Sequence, residues 1–280
     1  MDREQKARTN LVFFLGGADL EMATIRALLD ETVPDSVHDK GLRWGAKASA
    51  YREEIMGALA QGLTPVLVEL EDDLGLGSPY LIIVDHHGPE AGADKLTSLH
   101  QVFDLLELPP ERWIRWYDLV AANDRGYIPE MLELGATQAE IIQVRAADRA
   151  AQGITSEDEQ AGQKAASQAE TVADGRLTIV RLPHNRTAAV TDRLDPALGG
   201  RGFQNLLVQS PEEVNFYGDG KFVMALATRF PSGWYGGALP ERGFWGRMGA
   251  GADVEASLIE YLSSDATVTT ERVKRGVQMR

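Results

Sequence analysis

The sequence predicts an α/β chain: a parallel-sheet N-terminal domain with flanking helices, a linker helix, and a smaller mixed α/β C-terminal domain. Three observations carry that prediction. Short apolar runs around Val12, Val66 and Ile82 alternate with segments of helical apolar spacing, the order that builds a parallel sheet. Each run then gives way to carboxylates or histidine, as strand ends facing a ligand crevice do. After Gly175 the Ala-, Gln- and Glu-rich sequence changes to short strand-like runs and a stretch rich in glycine and aromatic residues. The expected domains are 1–152, a linker helix over 153–174, and 175–280.

Residues 10–15 read as the first buried strand, broken by Gly16 and Gly17. Residues 19–29 then place Leu20, Ala23, Ile25, Leu28 and Leu29 at helical spacing. A second helix is expected over 44–59, a second strand over 65–70, and a third over 81–84. Residues 98–106 put Leu99, Val102, Phe103 and Leu106 on one helical face, and Pro109 and Pro110 end it. Further helices are expected over 113–122, 129–134, 137–151 and 155–172, the last capped by Thr155 or Ser156. Beyond Gly175, strands are expected over 176–182, 187–190, 203–209 and 222–227, then a helix over 253–262 and a mobile tail.

The chain has 280 residues, no cysteine and a formal net charge of −14. Disulfides and Cys-zinc sites are excluded, and a cytoplasmic location is expected. The start of the chain has no signal-type apolar stretch, and no apolar run approaches a membrane span. The acidic balance disfavours long duplex nucleic acid, whose affinity rests on Lys and Arg at phosphates. It leaves room for a small phosphorylated ligand, because a metal or local arginines can supply the positive charge.

The most informative residues are Asp85, His86 and His87, directly after the run Tyr80, Leu81, Ile82, Ile83, Val84 and before Gly88 and Pro89. Asp19 and Glu21 follow the first strand, and Glu69, Glu71, Asp72 and Asp73 follow the second. Asp124 stands at a helix-loop boundary. Parallel strands would bring these groups to one edge. Mixed Asp, Glu and His ligation suits Mn²⁺ or another divalent cation. Two such ions could clamp the attacking and leaving oxygens of a phosphoryl displacement. His38 and His100 are expected to be solvated or core residues, and His184 a turn residue. Trp234, Tyr235, Phe244 and Trp245 either stack on a base or pack in a core.

This order of motifs resembles the DHH phosphoesterase superfamily, which includes RecJ-like exonucleases, nanoRNA and cyclic-dinucleotide phosphodiesterases, and family II pyrophosphatases. The third family motif stands intact as Asp85, His86 and His87, and Asp124 matches the fourth. The resemblance implies one or two bound ions, with Asp19, Glu21, Glu69, His86 and Asp124 as ligands. It implies that His87 contacts the scissile phosphate and that Asp85 orients the neighbouring ligand. It places a substrate-binding motif of the C-terminal domain at Gly236 and Gly237, with Arg242 and Arg247 nearby. Two departures stand out. The first motif has Leu15 where the family has a metal-binding His, and Glu21 where it has Asp. The second-motif acid is Glu69, or else Glu71, Asp72 or Asp73.

The implied activity is metal-dependent hydrolysis of a short oligonucleotide, nucleotide or other small phosphorylated substrate, with no membrane partner and with a homodimer allowed. The alternative is a catalytically impaired protein on this fold, acting as a nucleotide sensor or assembly subunit. Leu15 and Glu21 favour the alternative; the intact third and fourth motifs favour the enzyme.

Overall fold

The structure is a computed structural model that describes residues 10–43, 45–86, 96–237 and 239–277, with side chains of the closing helix as far as Ser264. The chain forms two compact units, residues 1–153 and 154–280.

In the first unit, β1 (Leu11–Leu15) leads into α1 (Leu20–Thr32), and the short β2 (Val37–Asp39) follows. Then come α2 (Arg52–Ala60), β3 (Thr64–Val68) and β4 (Ile82–Val84). The helices α3 (Ser98–Leu105), α4 (Arg115–Glu133) and α5 (Gln138–Ala151) complete the unit. All strands are parallel, in the order β2-β1-β3-β4. The chain leaves β1 for β2 on one side and returns to β3 on the other. The β1–β3 boundary is therefore a topological switch point, where loops diverge and open a crevice at the carboxyl ends of the strands. Val12, Phe14 and Leu67 on one sheet face pack with Tyr51, Ile55 and Ala58. The alternate residues Phe13, Leu15, Val66 and Val68 are buried as well, as expected for a sheet covered on both faces.

The second unit starts with α6 (Ser156–Ser167), β5 (Glu170–Val172), β6 (Leu177–Arg181) and α7 (Ala188–Leu194). It continues with β7 (Asn205–Gln209), β8 (Glu213–Asp219) and α8 (Gly220–Arg229). It closes with β9 (Trp234–Gly236), β10 (Arg242–Met248) and α9 (Ala252–Val277). Its mixed sheet runs β5-β6-β7-β8-β10-β9, parallel only between β6 and β7. Helices cover both faces. One core joins Ile179, Leu207, Phe216 and Trp245 to Val223, Leu226 and Leu258. The other joins Val180, Leu206 and Val208 to Ala165, Val190 and Leu194.

Several elements differ from the sequence reading. The helix expected over 155–172 spans only Ser156–Ser167 and packs on α7 and β6 within the second unit, and its expected end forms strand β5. The linker expected over 153–174 is thus a helix and a strand of that unit. Residues 187–190, read as a strand, are the N-cap and first turn of α7, and 222–227, also read as a strand, lie in α8. The helix expected from residue 44 starts with a 3₁₀ turn at Ala48–Tyr51. The helix expected over 253–262 runs longer, from Ala252 to Val277.

Candidate metal centre

The carboxyl ends of β1 and β3 and the helix turn before the α4 break deliver carboxylates to one place, and the end of β4 delivers His86. Asp19 is the N-cap of α1, its Oδ1 accepting the Met22 N–H at 2.9 Å. Glu21 lies in the first turn, where a carboxylate complements the helix dipole. Its Oε1 accepts the Leu99 N–H at 2.9 Å. Glu69 follows β3 with φ 52°, a left-handed conformation that is uncommon for a residue with a Cβ. This turn explains Gly16: a Cβ there would stand 2.2 Å from the Glu69 carbonyl oxygen. The backbones approach so closely that only glycine fits. The Cβ position of Gly17 lies 3.2 Å from Glu69 Oε2 and 3.6 Å from Asp19 Oδ2, so both carboxylates flank it.

His86, at the end of β4, is the centre of the cluster. Its Nε2 lies 2.5 Å from Asp124 Oδ2, 3.5 Å from Glu21 Oε2 and 4.0 Å from Glu69 Oε1. Ligand atoms of Glu21, His86 and Asp124 all lie within 4.8 Å of one another. Glu21, Glu69 and His86 are buried and Asp124 nearly so. α4 is two helical segments joined across a break at Gly126 and Tyr127, and Asp124 sits in the last turn of the first, the helix boundary that the sequence leads one to expect. Tyr127 has φ 59° and ψ −143°, a region that costs a residue with a side chain about 1–3 kcal/mol.

The electrostatics of the cluster favour a positive charge among its carboxylates. Burial, then the charges of Asp19, Glu21 and Asp124, hold the Glu69 carboxyl well above its usual range. Burial and the Glu21 charge push Asp124 up to about 7. Burial alone would lower His86, but Asp124 and Glu21 outweigh it and raise it to about 10. Burial works to raise Glu21, yet His86 and the Leu99 N–H hold it below the ordinary value. So raised, His86 favours its protonated form, which sets a positive charge among these acids. A divalent cation would supply more, and the O- and N-donor set suits one.

The other second-motif acids point elsewhere. Glu71 pairs with Lys47, Asp73 accepts the Ser49 N–H, and Asp72 accepts the N–H groups of Leu74 and Gly77. Asp85 is half-buried and its carbonyl accepts from Gln101. His87, Gly88 and Pro89 lie outside the described residues. Leu15 is fully buried, and its carbonyl accepts the Tyr51 hydroxyl at 2.7 Å.

In the second unit, Gly236 and Gly237 lie at the end of β9, which pairs with β10. Gly243 permits that pairing, since a Cβ there would meet the Gly236 carbonyl oxygen at 2.4 Å. Arg242 reaches the Gln204 carbonyl at 3.3 Å and is exposed. Arg247 binds Asp253 through Nη2 and lies over Phe230, 4.5 Å from its centroid. Trp245 is core, whereas Tyr235 and Phe244 are exposed. His38 stacks on Phe14, His100 stacks on Trp113, and His184 accepts the Arg186 N–H within its turn.

Arg145 and Asp148 escaped the sequence reading, and Leu99 was expected only as an apolar helix face, not for the N–H that holds Glu21. Ile141, Val144, Arg145 and Asp148 form the buried stripe of α5 at i, i+3, i+4 and i+7. An opposite-charge pair inside an otherwise apolar stripe was the available signal.

No protein-family model matches the chain, and no curated protein matches it. Solved structures do. A DHH domain described as a member of the s1p family of ribosomal proteins superposes with TM-score 0.53 at 13% identity, covering 94% of this chain and 88% of that one. An exopolyphosphatase-related protein from Bacteroides fragilis gives TM-score 0.52 at 13% identity, covering 93% and 94%. RecJ from Thermus thermophilus, in complex with Mn²⁺, gives 0.51 at 12% identity, covering 93% of this chain and 53% of RecJ. At these identities the likeness is one of fold.

Proposed function

With the DHH-type two-domain α/β fold as the premise, we propose that this protein is a metal-dependent phosphoesterase acting on a short oligonucleotide, nucleotide or other small phosphorylated substrate. The observation that carries the reading is the convergence of Glu21, Glu69 and Asp124 on His86 at the switch point of the parallel sheet. Those residues would hold the cation, with Asp19 beside them. Mn²⁺ is the ion of choice, given its presence in the similarly folded RecJ. A bound divalent ion supplies Lewis acidity toward a phosphoryl oxygen and lowers the pKa of water.

The chain's own residues do the rest. Burial of Glu21, Glu69 and His86 keeps competing water away from the charged groups and strengthens their electrostatics. His86 would ligate as the neutral imidazole, and Asp85 would steady the end of β4 that presents it. His87 is assigned to the scissile phosphate. Gly236, Gly237, Arg242 and Arg247 are assigned to the rest of the substrate. Arg242 is the more available donor, since Arg247 already binds Asp253.

One observation favours the second reading, a nucleotide sensor or assembly subunit with impaired chemistry. Leu15, at the position of a metal-binding His in the family pattern, is sealed in the core and offers no donor. A hydrolysis panel decides between the two: a chromogenic phosphodiester, a dinucleotide, a cyclic dinucleotide, pyrophosphate and a nucleoside monophosphate, with and without Mn²⁺. The enzyme reading expects Mn²⁺-dependent turnover that His86→Ala abolishes. Turnover unchanged in His86→Ala would contradict it, and tight nucleotide binding without turnover would establish the second reading.

A further inference from the structure

Helix α5 buries an ion pair outside the acidic cluster. Arg145 and Asp148 are each 4% exposed. Arg145 Nη1 donates to Asp148 Oδ2 and to Asn123 Oδ1, both at 2.8 Å. Its guanidinium carbon stands 4.4 Å from the centroid of the Tyr127 ring. Asp148 Oδ1 accepts the Leu20 N–H at 3.1 Å, and Oδ2 accepts from Gln152 at 2.8 Å.

A buried ion pair gains little stability over a well-packed apolar pair, because desolvation offsets its attraction. What this pair holds suggests its purpose. Leu20 lies between Asp19 and Glu21 at the start of α1, while Asn123 and Tyr127 bracket Asp124 on α4. The two helices carry carboxylates that approach the same His86 nitrogen, so their mutual repulsion works to part them. One side-chain pair on a third helix ties the Leu20 backbone of α1 to the Asn123 and Tyr127 side chains of α4.

We propose that Arg145 and Asp148 are positioning residues that set the separation of Glu21 and Asp124, and thereby the affinity of the site for a divalent cation. This rests on the metal-binding reading above. The geometry demands both Asp148 oxygens: Oδ1 serves Leu20, and Oδ2 serves Arg145 and Gln152. Asparagine, with one acceptor oxygen, cannot serve both sides.

The test measures Mn²⁺ affinity by electron paramagnetic resonance titration of the full chain, with Tm recorded in parallel. The variants are Asp148→Asn and the apolar pair Arg145→Met with Asp148→Leu. Thr137→Ala, which removes the exposed N-cap of the same helix, is the control. The expected result is Mn²⁺ binding weakened about tenfold to a hundredfold in the apolar pair, even where its Tm equals that of the wild type. Thr137→Ala should lower Tm and leave the Kd unchanged. If the apolar pair does not fold, Asp148→Asn decides: binding about tenfold weaker supports the proposal, and an unchanged Kd overturns it. A wild-type Kd in the folded apolar pair, or a Kd that follows Tm through the whole set including Thr137→Ala, also overturns it. Wild-type protein that binds no Mn²⁺ would overturn the metal-binding reading and this inference together.

Discussion

At the scale of single residues, His86 and Asp124 make the metal-free protein sensitive to pH in one direction. Asp124 is raised from 3.8 to about 7, and His86 from 6.5 to about 10. A raised folded-state pKa gives stability that is complete below the unfolded value and lost as pH rises through the folded one. Both groups therefore act alike, and the metal-free protein should lose stability between about pH 4 and about pH 10. Melting curves in chelator, compared at about pH 6 and about pH 9, should show a lower Tm at the higher pH. A Tm that rises would contradict the assigned charges. Mn²⁺ binding should strengthen over the same interval, because His86 and the acids ligate only when deprotonated. Glu69 extends the argument. It is buried among like charges, so Glu69→Gln, which removes the charge and leaves the backbone as it is, should raise the Tm of the metal-free protein and weaken Mn²⁺ binding at least about tenfold. A variant less stable without metal would mean that the Glu69 charge is well compensated.

At the scale of elements, the turn after β1 and the turn after β3 are fitted to each other. Gly16→Ala would drive a methyl group into the Glu69 carbonyl, so either β1 or the Glu69 turn must shift. The expected cost is about 1–3 kcal/mol in chemical denaturation, with weakened Mn²⁺ binding. Unchanged stability would show that the turn has slack. The strands β1, β3 and β4 were legible in the sequence because continuous apolar runs ending in polar groups are what a covered parallel strand requires. Glu69 was not separable from Glu71, Asp72 and Asp73, since a left-handed turn decides which acid faces the crevice and leaves no mark in spacing. The segment around Phe222 misled because Phe-Val-Met-Ala-Leu-Ala has no clean period. Only the core selects Phe222, Val223 and Leu226 as one helical face. β10 hid behind its glycines, which exist to let β9 and β8 approach. Arg145 and Asp148 carry no motif at all, and their partners lie on α1 and α4.

At the scale of the whole molecule, a net charge of −14 and a buried acidic centre constrain what can approach. Among the described residues, no helix is long and apolar enough to cross a membrane. Long duplex DNA should find no electrostatic foothold, so excess duplex should leave hydrolysis of a small phosphodiester unchanged across ionic strengths. Inhibition that vanishes with added salt would reveal a basic track and contradict this expectation. A cation that binds only the folded chain should raise its stability by about 2.7 kcal/mol at a hundredfold excess over Kd. The central claim is that Glu21, Glu69, His86 and Asp124 form one cation site, and anomalous diffraction at the manganese edge from crystals grown with Mn²⁺ tests it most directly. The account expects a peak within coordination distance of His86 Nε2 and of the Glu21 and Asp124 carboxylates. A peak held by other residues, or none at saturating Mn²⁺, would contradict it.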